Sequence, residues 1–183
     1  MTSLLDTILD EVATVVPKVD PHQLGAFADR LADAGRVFVT GEGRSGFMAR
    51  AFAMRLMHLG LHVYVVGETT TPSVGAGDTV VAVSGSGTTA GTVRVAEQSR
   101  TVGARVLAVT TEPGSPLGRL AVATLVIPAA TKHRRPGEAA TIQPLSSLFD
   151  QVTHLALDAV CLELARRRGV DNTAAKAAHA NTE

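Results

Sequence analysis

The chain has 183 residues, 45% of them hydrophobic and 19% charged, and its 17 basic side chains balance 17 acidic ones. That length supports one continuous core, and a formal net charge of zero offers no field to nucleic acid or an anionic membrane. Aromatics at 3% with no Trp exclude stacking platforms for bases, and the single cysteine, Cys161, forms no internal disulfide, which fits a reducing cytoplasm.

Residues 3–16 place Leu4, Leu5, Ile8, Leu9, Val12, Val15 and Val16 at helical spacing. Acidic residues interrupt that apolar pattern and no basic start precedes it, so it does not read as a signal peptide. No apolar run in the chain is long enough to span a bilayer. A second helix is predicted from Asp20-Pro21, an acidic cap with Pro at the first helical position, to about Ala34, where Gly35 stops it.

After these N-terminal helices (1–34), short apolar segments alternate with helical ones through 35–128. Strands are predicted at 36–40, 62–67, 78–84, 104–110 and 123–128, with helices over 45–59, up to about Thr101, and near 115–120. Such alternation implies a parallel sheet covered on both faces: an α/β, flavodoxin-like three-layer sandwich with five parallel strands. Residues 129–144 form a long loop whose Lys132, Arg134 and Arg135 read as a solvated charge run, although loops of this length are often functional. An apolar helix over 145–168 carries Cys161 into the core, and 169–183 is a polar, Ala-rich tail. The expected organisation is one domain over 1–183.

Two strand ends carry glycine turns: TGEGRSG at 40–46 and SGSGTT at 84–89. Gly41, Gly43 and Gly46 have the spacing of a dinucleotide-binding fingerprint, with Glu68 at the next strand end available for a ribose. An NAD site leaves SGSGTT without a task. Two glycine turns running into helix N-termini suit a phosphate instead, since free backbone N–H groups and the helix dipole favour an anion. Ser45, Ser84, Ser86, Thr88 and Thr89 add hydroxyl groups without charge. The plain alternative is that these residues only cap helices and shape turns.

GEGRSG (41–46), AFAMRLMHLG (51–60), VGETTTP (66–72), SGSGTT (84–89), TIQPLSSLFDQ (141–151) and the terminal HANTE (179–183) resemble the sugar isomerase (SIS) domain family. Within it they resemble the 6-phospho-3-hexuloisomerases of the ribulose monophosphate pathway, over nearly the whole chain and in order. Three positions depart from the family pattern: Thr88 stands where Glu is usual, Asp150 where Glu is usual, and Glu42 where the residue is small. The resemblance implies interconversion of D-arabino-hex-3-ulose 6-phosphate and D-fructose 6-phosphate through a 2,3-enediol, in formaldehyde assimilation or detoxification, with no cofactor and no metal. It also implies a cytoplasmic homotetramer, with a hexulose-6-phosphate synthase as pathway partner. Rival expectations are another SIS isomerase, acting on arabinose 5-phosphate or sedoheptulose 7-phosphate, and a phosphosugar-binding module that does not turn its ligand over.

By the same resemblance Asp150 takes the place of the catalytic glutamate, as the base, unless it only caps or pairs. His179 either reaches a neighbouring subunit's site or is a solvated tail residue. His58 is a further catalytic candidate or a satisfied core or interface histidine. Arg44, Ser45, Ser84, Ser86, Thr88 and Thr89 are the candidate phosphosugar ligands.

Overall fold

Five short apolar segments form a wholly parallel sheet in the order β2-β1-β3-β4-β5. The strands are β1 Val37–Gly41, β2 Val63–Val65, β3 Thr79–Val83, β4 Arg105–Thr110 and β5 Ala123–Val126 in the computed structural model, which describes residues 3–181. Met1 and Thr2 of the expected domain, and Thr182 and Glu183 of the HANTE stretch, lie outside the described residues. The helices are α1 Leu4–Val15, α2 Pro21–Ala32, α3 Gly43–His58, α4 Ala90–Thr101, α5 Pro116–Leu120, α6 Ser147–Arg168 and α7 Asn172–Ala177.

The strand residues alternate between two faces. Val37 and Val39 of β1, Val81 and Val83 of β3, and Leu107 and Val109 of β4 pack with Phe27 and Leu31 of α2, Phe52 and Leu56 of α3, and the buried face of α6. On the opposite face Ala82, Val106 and Ala108 meet Ala96 of α4 and Leu117 of α5, while Phe38 and Val80 meet Val95 of α4. Both faces are therefore covered, as continuous apolar strands require. Phe27 and Phe149 are essentially inaccessible, and truncating either to Ala removes about 3–5 kcal/mol.

Strand order reverses between β1 and β3, which pair from Val37↔Thr79 to Gly41↔Val83. The helices that follow these two strands leave on opposite faces, so a crevice opens beyond their carboxyl ends. Both glycine turns lie there. Gly41 and Gly46 serve close packing at this point: a Cβ on Gly46 would come within 2.6 Å of the Gly41 carbonyl oxygen.

The predicted elements differ from the observed ones mainly at their ends. The predicted strand over 62–67 shortens to three residues because β2 is an edge strand with one neighbour. The long helix starts at Ser147 rather than Leu145, because Leu145 has φ +54° and cannot lie in a right-handed helix. Part of the polar tail does fold: the Asp171 side chain accepts from the Ala174 amide and starts α7. No helix of the described residues is long and apolar enough to cross a membrane.

Candidate active site

A cleft of about 450 Å³ opens at the strand-order reversal, lined among others by Glu42, Arg44, Ser45, Gly85, Ser86, Thr89, Lys132, Ser146 and Asp150. Apart from Lys132, in the loop before α6, these residues come from the N-termini of three helices or the turns that lead into them. Among the described residues, α1, α2, α5 and α7 have their first turns closed by the side chains of Ser3, Asp20, Ser115 and Asp171. The N-termini of α3, α4 and α6 have no such cap, and these are the three that face the cleft. Uncapped first turns leave N–H donors and the positive end of each helix dipole directed at one space. An anion is the natural occupant.

At α4 a hydroxyl pair explains why the cap is missing. Thr89 stands at the N-cap of α4, but its Oγ1 lies 2.9 Å from Ser84 Oγ and makes no capping bond. Ser86 Oγ accepts from Thr88 Oγ1 at 2.9 Å and from the Thr88 amide at 3.3 Å. With two donors already received, the Ser86 hydroxyl has its own hydrogen free to give to an anion. Of the candidate phosphate ligands, Arg44, Ser45, Ser86 and Thr89 line the cleft. Ser84 and Thr88 act one step back, by holding Thr89 and Ser86. Gly87, at φ +63°, turns the chain here with no room for a Cβ, which would fall on the Ser115 side chain.

Asp150 reaches the cleft from the first turn of α6. It is 2% exposed, and Ser45 Oγ donates to its Oδ1 at 2.9 Å while Arg44 Nε lies 3.4 Å from its Oδ2. Burial pushes its carboxyl above the usual carboxylate range, against the lowering effects of the Ser45 bond and the Arg44 charge. The neighbouring Phe149 fixes the register. Its ring lies against Gly85, where a Cβ would stand 3.1 Å from Cδ1, so α6 is keyed to the SGSG turn directly beside the carboxylate.

His58 and His179 are brought together elsewhere. Their rings stack with centroids 5.1 Å apart and planes 17° from parallel. Burial holds the His58 imidazole below its ordinary pKa, helped by the charges of Arg55 and His179. This pair sits at the C-terminal end of α3, while Arg44 and Ser45 occupy its N-terminal end. Ser45 and His58 stand thirteen steps apart along the helix, roughly 20 Å at about 1.5 Å per step. Within one chain, then, the histidines do not reach the cleft.

Glu68 lines a separate depression with Arg50 and Tyr64, away from the glycine turns. Cys161 is buried and its thiol is pushed up to about 12 by burial, which makes it a packing residue. The basic loop is not simply a solvated run: Lys132 borders the cleft, and the Arg134 guanidinium donates to the carbonyls of Thr131, Gln143 and Leu145. Sequence reasoning missed this because the acceptors are backbone groups with no compositional signature. Among the described residues no group of three or more His, Cys, Asp or Glu is arranged to hold a metal ion.

Residues 30–155 match the family model described as the SIS domain. The chain is 46% identical over 183 residues to a 3-hexulose-6-phosphate isomerase of Mycobacterium gastri, covering 100% of this chain and 92% of that one. It is 36% identical over 182 residues to a 3-hexulose-6-phosphate isomerase of Bacillus subtilis, covering 100% and 98%. Among solved structures, a Methanococcus jannaschii protein inferred to be a 3-hexulose-6-phosphate isomerase superposes with a TM-score of 0.84 at 30% identity, over 98% of both chains.

Proposed function

The chain belongs to the SIS domain family, and from that premise we propose that it is a ketose phosphate isomerase interconverting D-arabino-hex-3-ulose 6-phosphate and D-fructose 6-phosphate. The observation that carries this reading is the convergence of three uncapped helix N-termini on one cleft that also holds a single buried carboxylate. Full-length relatives named for the same reaction support the substrate.

The chemistry needs little more than this. The sugar phosphate is held by Ser86, Thr89 and the free amides at the start of α4, with Ser45 and Arg44 on the other wall. Asp150, ionised, removes the C3 proton of fructose 6-phosphate, electrons move onto the C2 oxygen, and the proton of the C3 hydroxyl passes to that oxygen through the 2,3-enediol stage. The same carboxyl then returns its proton to C2 as the carbonyl re-forms at C3. A carboxyl raised by burial is suited to this, because proton transfer is most effective when the base's pKa approaches the working pH. Arg44, partly exposed beside Asp150, both keeps the carboxylate ionised and can stabilise charge on the enediol oxygen. No step calls for a redox cofactor or a metal.

The domain spans 1–183 in this reading, and the active form is a homotetramer. Phe47, Met54 and Met57 of α3 and Leu4, Leu5 and Leu9 of α1 are exposed, and apolar surface of this kind is covered by association. Placed in such an assembly, the His58–His179 pair serves a neighbouring subunit's cleft by assisting ring opening or oxygen protonation. The setting is cytoplasmic, in formaldehyde assimilation or detoxification, downstream of a hexulose-6-phosphate synthase.

The test is substrate choice with the pure protein. D-arabino-hex-3-ulose 6-phosphate should be converted to fructose 6-phosphate far faster than arabinose 5-phosphate or sedoheptulose 7-phosphate is isomerised. Preference for either of the latter would overturn the substrate assignment.

A further inference from the structure

Leu145 is a strained residue at an important corner. It has φ +54°, a conformation that is unfavourable for non-glycine residues and persists only where surrounding contacts over-determine it. It borders the cleft and precedes Ser146, the N-cap of α6, whose carbonyl accepts from the Asp150 amide at 3.0 Å. The path of 141–146 therefore sets where α6 begins and where the Asp150 carboxylate points.

Two side chains from outside this segment pin it. Arg134 donates to the carbonyls of Gln143 at 2.5 Å and Leu145 at 2.8 Å. Glu11, on α1, takes three bonds from consecutive residues: Thr141 Oγ1 at 2.5 Å, the Ile142 amide at 2.6 Å and Gln143 Nε2 at 2.9 Å. Both carboxylate oxygens are used. Burial acts to raise the Glu11 carboxyl, but these bonds and the Arg134 charge outweigh it and hold it below the ordinary range. Bonds to an ionised acceptor are the strong kind. Glu11 also lies outside residues 30–155, the part that matches the family model.

We infer that Glu11, acting with Arg134, is a positioning residue for catalysis: it fixes the strained 141–146 corner and through it the Asp150 carboxylate. This rests on Asp150 being the base. Glu11 touches none of the cleft-lining hydroxyls, and its effect is therefore separable from substrate binding. The proposed phosphate ligands Ser86, Thr89 and the α4 amides belong to the turn from β3 into α4, while the pinned corner forms the α6 wall of the same cleft. Losing the pin should move the base and leave the cup in place.

The experiment uses the full chain with Glu11→Ala and Glu11→Gln. Displacement of a reacting group by about 1 Å can cost ~10²-fold, so Glu11→Ala should lower kcat by about 10- to 100-fold. Affinity for inorganic phosphate, read by calorimetry, should stay within about twofold. Glu11→Gln keeps one acceptor oxygen and should fall between wild type and Glu11→Ala. Thr141→Val removes one of the three bonds without touching α1. It should lower kcat in the same direction, and the pair Glu11→Ala with Thr141→Val should be non-additive. Amide hydrogen exchange over 141–150 should quicken in Glu11→Ala, a readout that needs no substrate and so stands whether or not the wild type is the proposed isomerase. Unchanged kcat together with unchanged exchange would overturn the inference. So would a parallel loss of kcat and phosphate affinity in Thr141→Val, since that pattern marks a general structural role.

Discussion

Replacing Asp150 by Asn separates chemistry from stability in a way few substitutions do. The change keeps shape and one acceptor oxygen, so Ser45 can still donate where it now meets Oδ1 at 2.9 Å, but it removes the base. A positioned general base contributes about 10²–10⁴ in rate, roughly 2.7–5.5 kcal/mol of barrier, and kcat should fall by that much. Stability should move the other way. Burial raises the Asp150 pKa above its unfolded value, despite Ser45 and Arg44. The stabilising contribution of such a group is full below the unfolded pKa, about 3.9, and is lost as pH rises through the folded value. At neutral pH the ionised carboxylate is thus a cost, so Asp150→Asn should melt above wild type at pH 7, with the advantage fading toward pH 4. Thermal unfolding at the two pH values, beside kcat at pH 7, gives both readings from one variant. Normal turnover by Asp150→Asn would refute the base assignment, and a lower melting temperature at pH 7 would refute the claim that burial outweighs the Ser45 and Arg44 contacts.

Ser86→Ala deletes the one cleft hydroxyl whose hydrogen is left free by the Thr88 bonds. Loss of a hydrogen bond to an anion costs about 1.5–3 kcal/mol, and kcat/KM should drop by roughly 10- to 150-fold. Gly87→Ala puts a Cβ onto the Ser115 side chain at a φ of +63°. It should destabilise the fold by at least 1–3 kcal/mol in denaturant titration. Extended treatment with EDTA should leave the rate intact, and complete loss restored by a divalent ion would require a different mechanism. Sedimentation should show a tetramer, whereas a fully active monomer would contradict the role given to the histidine pair.

The fold was legible because its signals are local. Apolar segments such as RVFVT and ARVLAVT alternate with helical stretches between glycines, and that pattern admits few arrangements other than a parallel sheet with helices on both faces. The cleft was half legible. Gly-Ser-Gly sequence marks the turns, but nothing local says that Thr89 bonds Ser84 instead of capping α4, or that Ser146 leaves α6 uncapped. The pinned corner was invisible. Glu11 meets Thr141 across 130 positions, and the positive φ of Leu145 belongs to no residue-type preference. The stacking of His58 on His179 is likewise a product of how α7 returns toward α3, which no spacing in the sequence encodes.

The most direct measurement is proton exchange with the pure protein in D₂O. Fructose 6-phosphate should gain deuterium at C3, because the 2,3-enediol forms by loss of that proton, and C1 should keep its protium. Asp150→Asn should suppress the exchange while still binding inorganic phosphate. Binding of fructose 6-phosphate with no exchange at C3, or exchange at C1 alone, would contradict the proposed reaction.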